Sequence, residues 1–365
     1  MKISCTFLLM LFLFIACSKD DDNNVYVINN TTFGISSDKS NARQTTDGIN
    51  NAIEQAKVEG YTHVKLTPGE YLIRCTGPDG FQDWNGLFIP NNITLDLTDV
   101  KLYVESNNAQ ESKLIRIYQV ENVTIIGGHL IGDRSDYDDP NSKHSGSCGI
   151  DIVCSRNITI DGTKMEQFAG CAMYIGYGFI APNERRLNKS IKILNCEISD
   201  SWMHGIGIIH ASEVEIAHNN IYNIGGMESG FGIDIEPEAN WTGSRPWKSW
   251  VENVNIHHNE FKDMMGFKGD NVGIGIVSDY STDIEIADNT FDNSAIVFNR
   301  NPKRIRLMRN TLLGWESYMV ARTSEDVYMP LEGPNANYPQ YKERVLNCSK
   351  QTGYIKETDN YTQCD

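Results

Sequence analysis

Two carboxylates stand close together in the segment 231–238. Asp234 and Glu236 are two residues apart, so alternation along a strand would put both side chains on one face, with Cα atoms ~6.5 Å apart. An inverting glycosidase holds its two carboxyl groups roughly 6.5–9.5 Å apart, because one protonates the leaving oxygen while the other activates water. Asp234 and Glu236 are therefore the predicted catalytic pair of a glycan-cleaving site.

Aromatic and basic side chains are concentrated in two segments that would form loops beside this pair, 177–189 and 237–252. Tryptophan buries the apolar faces of sugar rings, and cations bind hydroxyls or carboxylates. The segments contain the candidate substrate-binding residues Arg185, Arg186, Trp241, Arg245, Trp247 and Trp250. Gly207 lies between the segments, so the pattern predicts a cleft with two loop walls and a glycine floor. The alternative is that the tryptophans pack their own loop onto the fold.

A second chemistry would use other residues of the same region. Elimination or epimerisation at a uronic acid needs a base, a proton donor and a group that neutralises the carboxylate. Asp151, Tyr174 and His210 are the candidates to support such a site, with Arg185 and Arg186 as possible partners of the carboxylate.

An acidic loop is the candidate metal site. Asp136, Asp138 and Asp139 lie within four consecutive positions, and clustered carboxylates can ligate calcium. Their spacing matches no calcium motif, so a solvated acidic loop is the alternative. The sequence establishes no cofactor, and calcium is the candidate that it offers.

The elements that would position these residues come from an internal repeat. A short strand with alternating apolar residues recurs and ends in a slot that only glycine or asparagine fills, at Gly127, Gly162, Asn195, Asn219, Asn259, Asn289 and Asn310. Both residue types tolerate the left-handed backbone of a sharp corner. The variable spacing of the slot indicates loops inserted at other corners. The pattern predicts an all-β solenoid.

A second strand recurs in each repeat and carries the candidate site. Its alternation predicts a parallel sheet with one face in the core, and Asp151, Tyr174, Gly207 and Asp234 share the outward face. Alignment of the repeats places Cys148 and Cys171 one coil apart, and the alternation predicts that both side chains point into the core. A disulfide between them is geometrically possible, and a stack of free buried thiols is the preferred interpretation.

This arrangement resembles the pectate lyase-like superfamily, whose fold is a right-handed parallel β-helix. The segment 45–56 looks like that superfamily's N-terminal capping helix, and 64–73 looks like its first coil. The resemblance covers roughly residues 33–324 and leaves 325–365 as a C-terminal cap or tail. It implies that substrate lies along the sheet formed by the second strand.

Two subfamilies are similar in places, and each departs at the catalytic positions. The polygalacturonase pattern is matched around Ile150 and His204, but Cys148 and Cys171 stand where its catalytic aspartates are. The segment 231–238 is similar to the strand of mannuronan epimerases at Asp234 and differs after it. Neither mechanism can therefore be transferred to this chain.

The N-terminus predicts export and lipid anchoring. Residues 1–16 have the charged and apolar regions of a signal peptide, and a small residue precedes Cys17, as in a bacterial lipoprotein cleavage site. Cys17 would carry the lipid, and 17–32 would form an anchor and acidic linker. The expected location is the bacterial outer membrane, facing outside, with the lipid as the one contact with the membrane.

The charge balance limits the partners. The formal net charge of −16 argues against nucleic acid, whose phosphates need a basic surface. We expect a monomer that acts on a surface polysaccharide as a glycoside hydrolase or polysaccharide lyase. A uronate epimerase and a non-catalytic carbohydrate-binding protein or adhesin are the alternatives.

Overall fold

The chain folds into a right-handed parallel β-helix in which each coil passes through three parallel sheets. The computed structural model describes residues 24–75, 86–107, 111–137, 146–178, 180–181, 183–226, 230–240, 247–265, 271–278, 280–298, 302–313, 319–321, 327–328 and 361–363. The predicted all-β solenoid is confirmed. Among the described residues, no helix has the length and apolar character needed to cross a bilayer.

The three sheets take one strand each from successive coils. Within the described ranges, sheet I consists of Val25–Val27, His63–Lys65, Thr94–Asp96, Glu121–Ile126, Arg156–Asp161, Asn188–Leu194, Ala211–Ala217, Val251–His257, Ser281–Ala287, Lys303–Met308 and Val327–Tyr328. Sheet II consists of Gly69–Ile73, Val100–Val104, His129–Ile131, Lys164–Glu166, Glu197–Ser199, Asn220–Tyr222, Glu260–Lys262, Thr290–Asp292, Thr311–Leu313 and Tyr361–Gln363. Sheet III consists of Leu87–Phe88, Lys113–Tyr118, Cys148–Val153, Cys171–Gly176, His204–Ile208, Phe231–Ile235, Val272–Ile276, Ala295–Phe298 and Met319–Ala321.

The core is a set of apolar stacks, because in-register coils place equivalent side chains above one another. Ile158 pairs with Ile191, which pairs with Val214 on the next coil, and all three are buried. Each isoleucine buried in this way contributes roughly 1.5–3 kcal/mol relative to an exposed one. The stacks run through the whole described solenoid as one cluster.

The N-terminal end of the solenoid is covered by the helix Ala42–Val58, which confirms the predicted capping helix. Its buried side chains include Ile49, Ala52, Ile53 and Ala56, whose spacing of three or four residues puts them on one face. A four-residue helix, Asn30–Phe33, precedes it.

Both ends of the described solenoid extend past the predicted boundaries of 33 and 324. Val25–Val27 pairs with His63–Lys65, so the segment predicted as an acidic linker already contains a strand. At the other end, Val327–Tyr328 and Tyr361–Gln363 pair onto sheets I and II. The predicted tail therefore adds strands to the helix.

The corner after sheet I has two consecutive positions in each coil, and each position stacks into a row along the solenoid. The sequence pattern had treated these two positions as one. The left-handed row has positive φ angles at Gly127, Gly162, Asn195, His218, His258, Asp288 and Arg309. The next row contains Asn219, Asn259, Asn289 and Asn310, which are buried and joined through their side-chain amides at 2.8, 2.9 and 3.1 Å. These four asparagines are thus selected for an amide ladder, and the left-handed explanation was wrong for them.

A local shift in alternation reorients the start of the five sheet III strands from Lys113–Tyr118 to Phe231–Ile235. A Cβ added to Gly205 would lie 3.2 Å from the core atom Ile221 Cγ2, and the next residue, Ile206, also belongs to the core. Gly205 and Ile206 therefore both face inward although they are consecutive, and His204 before them faces outward. A Cβ on outward-facing Gly207 would lie 3.9 Å from Cys171 Sγ.

The predicted inward parity of Cys148 and Cys171 is therefore wrong. The two residues are in register with each other and stand on the outer face of sheet III, outside the core cluster. Both are buried, and both thiols are free.

Candidate functional site

The outer face of sheet III carries an in-register ladder that crosses the middle of the solenoid. Its members are Arg116, Asp151, Tyr174, Gly207, Asp234, Gly275 and Val297. Neighbouring strands are ~4.8 Å apart, so Tyr174 and Asp234 flank Gly207 at about that distance on either side. The outward positions from Asp151 to Val297 agree with the sequence alignment. One coil later the partner is Val320, one residue beyond the predicted Met319.

A second row of outward-facing side chains runs beside this ladder, because the inward–outward alternation shifts near the start of these strands. It contains Lys113, Cys148, Cys171, His204 and Phe231. The Phe231 ring lies over Gly275, where an added Cβ would be 2.7 Å from the ring.

The space over Gly207 is not filled in this way. An added Cβ there would meet nothing closer than His204 Cδ2 at 3.8 Å. A buried recess with room for about one methyl group therefore lies over Gly207. We call it the notch and define it by Cys171, Tyr174, His204, Gly207 and Asp234.

The carboxylate of Asp234 and the ring of His204 form a buried pair at the edge of this notch. His204 Nε2 lies 3.3 Å from Asp234 Oδ2, and the two residues are only 4% and 1% exposed. The backbone N–H of Phe231 donates to His204 Nδ1 at 3.4 Å. In a neutral ring the proton is therefore on Nε2, which faces the carboxyl group.

Burial shifts both groups of this pair toward their neutral forms. It raises the pKa of Asp234 well above its usual value, and the negative charge of Glu236 adds to the rise. It lowers the pKa of His204 to about 3. Asp234 Oδ1 is buried with no hydrogen-bond partner among the described residues. The rise in pKa favours the protonated carboxyl group, which is the form that a general acid needs.

Glu236 has the opposite environment. It follows the same strand, its side chain is exposed, and its backbone N–H donates to Ile208 O at 3.1 Å. Two carboxyl groups in such different surroundings have different proton affinities, which is how acid and base roles are separated in a site. Both residues were predicted to lie on an open floor. The structure places the Glu236 side chain at the surface and buries the Asp234 side chain.

Asp151 and Tyr174, the first two supporting candidates, have different surroundings. Asp151 is held in a buried ion pair, with Arg116 Nε 3.2 Å from Oδ2. Arg116 in turn lies over the Tyr118 ring at 4.7 Å, so the pair stabilises the sheet surface. Tyr174 is half-buried beside the notch, and burial raises its pKa well above the usual value. The neutral phenol is therefore favoured, and it can donate a hydrogen bond to a ligand.

The two loops predicted as cleft walls touch each other. Tyr177 donates to Glu238 Oε2 at 2.6 Å, and Arg185 lies 3.6 Å from the centroid of the Tyr177 ring. His210, the third supporting candidate, packs below this contact. Its ring lies 4.7 Å from that of Trp250, and burial lowers its pKa to about 4. The expected gap between the walls is thus closed at this point, and Gly207 itself is buried.

The remaining predicted residues divide into surface positions and positions outside the described ranges. Arg186 is exposed, and its backbone N–H donates to Cys154 Sγ at 3.2 Å. Trp250 is 38% exposed. Asp136 is exposed at the end of a 3-10 turn, Arg134–Asp136. The predicted residues that lie outside the described structure are Cys17, Asp138, Asp139, Trp241, Arg245 and the side chain of Trp247.

Sequence reasoning missed the second row. Simple alternation along the strand does not place His204 or Lys113 on the outward face. A usable signal was present in Gly149, Gly205, Gly232 and Gly273, which recur one residue before an inward isoleucine. A residue without a side chain at that point permits two consecutive inward positions, and so a polar residue before it on the outer face.

Residues 113–312 match the family model described as the right handed beta helix region, so the chain belongs to that family. An uncharacterised protein of Bacillus subtilis, YclG, is 28% identical over 248 residues, which cover 65% of this chain and 42% of that protein. A second Bacillus subtilis relative, the prophage-derived uncharacterised protein YorA, is 23% identical and covers 81% of this chain and 56% of its own length. The chain therefore spans about half the length of these relatives.

Two solved structures share the fold at low sequence identity. One is the tailspike protein gp49 of Acinetobacter baumannii bacteriophage Fri1, a capsular polysaccharide depolymerase. Its TM-score is 0.60 at 11% identity, with 84% of this chain and 53% of that chain covered. The other is an endo-xylogalacturonan hydrolase of Aspergillus tubingensis. Its TM-score is 0.55 at 13% identity, with 81% and 88% covered.

Proposed function

We propose that this chain is a polysaccharide-cleaving enzyme whose site is the notch over Gly207. The observation that carries the proposal is the buried Asp234 carboxyl group, whose pKa is raised well above its usual value, two residues before the exposed Glu236. A buried carboxyl group without a hydrogen-bond partner for Oδ1 costs stability, and its position next to the notch is consistent with a catalytic role. The hydrolase and depolymerase with the same fold support a glycan as substrate.

Hydrolysis assigns one role to each carboxyl group. Asp234 donates its proton to the glycosidic oxygen as the bond from that oxygen to the anomeric carbon breaks. Glu236 takes a proton from the water whose oxygen bonds to the same carbon. Solvent then returns a proton to Asp234 and removes one from Glu236. The reaction requires the Asp234 side chain to turn toward the notch when a sugar enters, because the carboxyl group is buried without one.

Cleavage by elimination, or epimerisation, at a uronic acid is the second candidate. The observation that favours it is the pair of protonated groups on either side of Gly207, the Tyr174 phenol and the Asp234 carboxyl. One of them could donate a proton while the exposed carboxyl group of Glu236 accepts one. Binding without chemistry is the remaining alternative, and the same experiment separates all three.

The experiment is incubation of the purified chain with a panel of neutral and uronic-acid polysaccharides. New reducing ends without unsaturated products indicate hydrolysis, and absorbance from unsaturated uronates indicates elimination. A change in sugar composition without cleavage indicates epimerisation. Asp234→Asn and Glu236→Gln should each lower turnover by on the order of 10²-fold or more.

The matched control is Glu260→Gln, which changes an exposed glutamate on sheet II, away from the notch, and should leave turnover unchanged. Full turnover in both Asp234→Asn and Glu236→Gln would place the chemistry elsewhere. Binding of a glycan without any product would support the adhesin alternative.

A further inference from the structure

Three histidines meet at the corner after sheet I, far along the coil from the notch. His257 ends the strand Val251–His257, His258 follows it, and His218 stands one coil earlier at the equivalent corner position. The ring centroids of His218 and His258 are 5.1 Å apart, and those of His257 and His258 are 5.2 Å apart. One ring nitrogen from each of the three residues lies within 4.8 Å of the others.

The closest nitrogens already have nearly the spacing that a shared ion requires. His257 Nδ1 and His258 Nδ1 are 3.0 Å apart. Two imidazoles bound to one zinc ion at about 2.0–2.1 Å in tetrahedral geometry place their nitrogens about 3.3 Å apart. The spacing of these two nitrogens therefore needs to widen by only about 0.3 Å to suit two zinc ligands. A ring nitrogen of His218 lies within 4.8 Å of both and reaches the same ion after a side-chain movement.

A carboxylate stands behind one of these rings, as is usual in protein metal sites. Glu215 Oε1 lies 3.5 Å from His257 Nε2, and Glu215 is itself held by Lys192 at 3.0 Å. A metal-binding histidine commonly directs its second ring N–H to a carboxylate, which fixes the tautomer and the ring orientation. Glu215 thus favours the proton on Nε2 of His257 and leaves the lone pair of Nδ1 directed toward His258.

We propose that His218, His257 and His258 bind one divalent transition-metal ion of the zinc class. Three imidazole nitrogens suit Zn²⁺, Ni²⁺ or Cu²⁺ and are a poor set for calcium or magnesium, which prefer oxygen ligands. Because His218 and the two other ligands belong to adjacent coils, the ion would join one coil to the next and stabilise the solenoid. Both this site and its role are independent of the proposed polysaccharide chemistry.

The test is calorimetric titration of Zn²⁺ into the full chain, purified without a polyhistidine tag and stripped with a chelator. We expect one Zn²⁺ per chain with micromolar or tighter affinity, and a melting temperature that rises with zinc concentration as ligand linkage requires. His218→Ala and His258→Ala should each weaken binding at least tenfold, and Glu215→Gln should weaken it by about 10–100-fold.

His129→Ala is the matched control, since that histidine pairs with Glu166 elsewhere on the surface; it should bind zinc like the wild-type chain. Circular dichroism of each variant without metal shows whether it folds. The proposal is wrong if the folded chain binds no zinc or binds it only at millimolar concentration. It is equally wrong if folded His218→Ala and His258→Ala bind zinc as tightly as the wild-type chain.

Discussion

The imidazole of His204 lies 3.3 Å from the carboxyl group of Asp234, and burial shifts the pKa of each group toward its neutral form. A buried ion pair between them would have to offset the desolvation of two charges. Neutral forms of both groups avoid that cost. They leave the carboxyl group as the proton donor of the pair, since His204 Nδ1 already accepts from the N–H of Phe231. Their position at the edge of the Gly207 notch is what makes the pair a candidate for chemistry.

Replacing Asp234 by asparagine should stabilise the folded chain near pH 7. The pKa of the carboxyl group is raised on folding, so the group favours folding below its unfolded pKa of about 3.9 and loses that contribution as the pH rises toward the folded pKa. The amide introduced by Asp234→Asn does not titrate, so the advantage of the variant should be larger at pH 7 than at pH 4. Urea denaturation at both pH values measures the difference.

A structural role for Asp234 predicts the reverse. If the Asp234→Asn chain is less stable than the wild type at pH 7, the carboxylate is charged and needed by the fold. If stability rises while turnover falls, the residue is retained for function at the expense of stability.

Filling the notch should abolish activity without harming the fold. Gly207→Ala adds one methyl group whose nearest neighbours would be His204 Cδ2 at 3.8 Å and Cys171 Sγ at 3.9 Å, which are ordinary contacts. Stability should be unchanged or up to about 1 kcal/mol higher, because alanine restricts the unfolded chain. Turnover should fall at least tenfold. Normal turnover in a folded Gly207→Ala chain would show that sugar does not enter the notch.

The asparagine ladder should contribute strongly to stability. The Asn259 side-chain amide donates to Ile216 O at 2.8 Å and to Asn289 Oδ1 at 2.9 Å, and its carbonyl oxygen accepts from Asn219 N at 2.9 Å. Asn259→Ala removes the acceptor of the Asn219 N–H and the side-chain donor to Ile216 O, at about 1–3 kcal/mol for each. Asn289 Oδ1 still accepts from the backbone N–H of residue 259 at 2.9 Å. We expect chemical denaturation to show a loss of roughly 2–5 kcal/mol. Asn255→Ala, at an exposed position of the preceding strand, should change stability by less than about 0.5 kcal/mol.

Stability should fall on mild acidification partly through His210. Burial lowers its folded pKa to about 4, while the unfolded value is about 6.5. Protons therefore bind the unfolded chain preferentially as the pH drops from 7 to 5, which costs roughly 1–2 kcal/mol of stability. His210→Phe keeps a ring against Trp250 but cannot titrate, so its stability should depend less on pH over this range. Equal pH dependence in the two chains would show that His210 does not titrate as proposed.

Lipid attachment is tested at Cys17. Cys17→Ala should leave the exported protein without its lipid and release it from membranes into the soluble fraction. Metabolic labelling with a fatty acid, followed by fractionation, measures both effects. A variant that stays in the membrane fraction would mean that another part of the chain provides the anchor, and labelling that persists would mean that Cys17 is not the acylated residue.

Local pattern was sufficient for the fold. Alternating apolar residues such as Ile158 and Ile160, followed by a glycine or asparagine corner, predict strands and turns because strand periodicity and left-handed backbone preference are local properties of the chain. The capping helix was predictable for the same reason. Asp234 and Glu236 could be selected from sequence because their spacing on one strand is also local.

Tertiary structure alone decided which environment each of those residues has. Asp234 is buried and Glu236 is exposed, although both follow the same alternation, because burial depends on what packs over the sheet. The pairing of Asp234 with His204 depends on the register between coils and on a shift of alternation at Gly205, and no periodic pattern contains that shift. The contact of Tyr177 with Glu238, 61 residues apart, likewise arises from stacked coils. The sequence determines which ionisable side chains the site contains, whereas the packing of the coils determines the pKa values and the contact partners of those side chains.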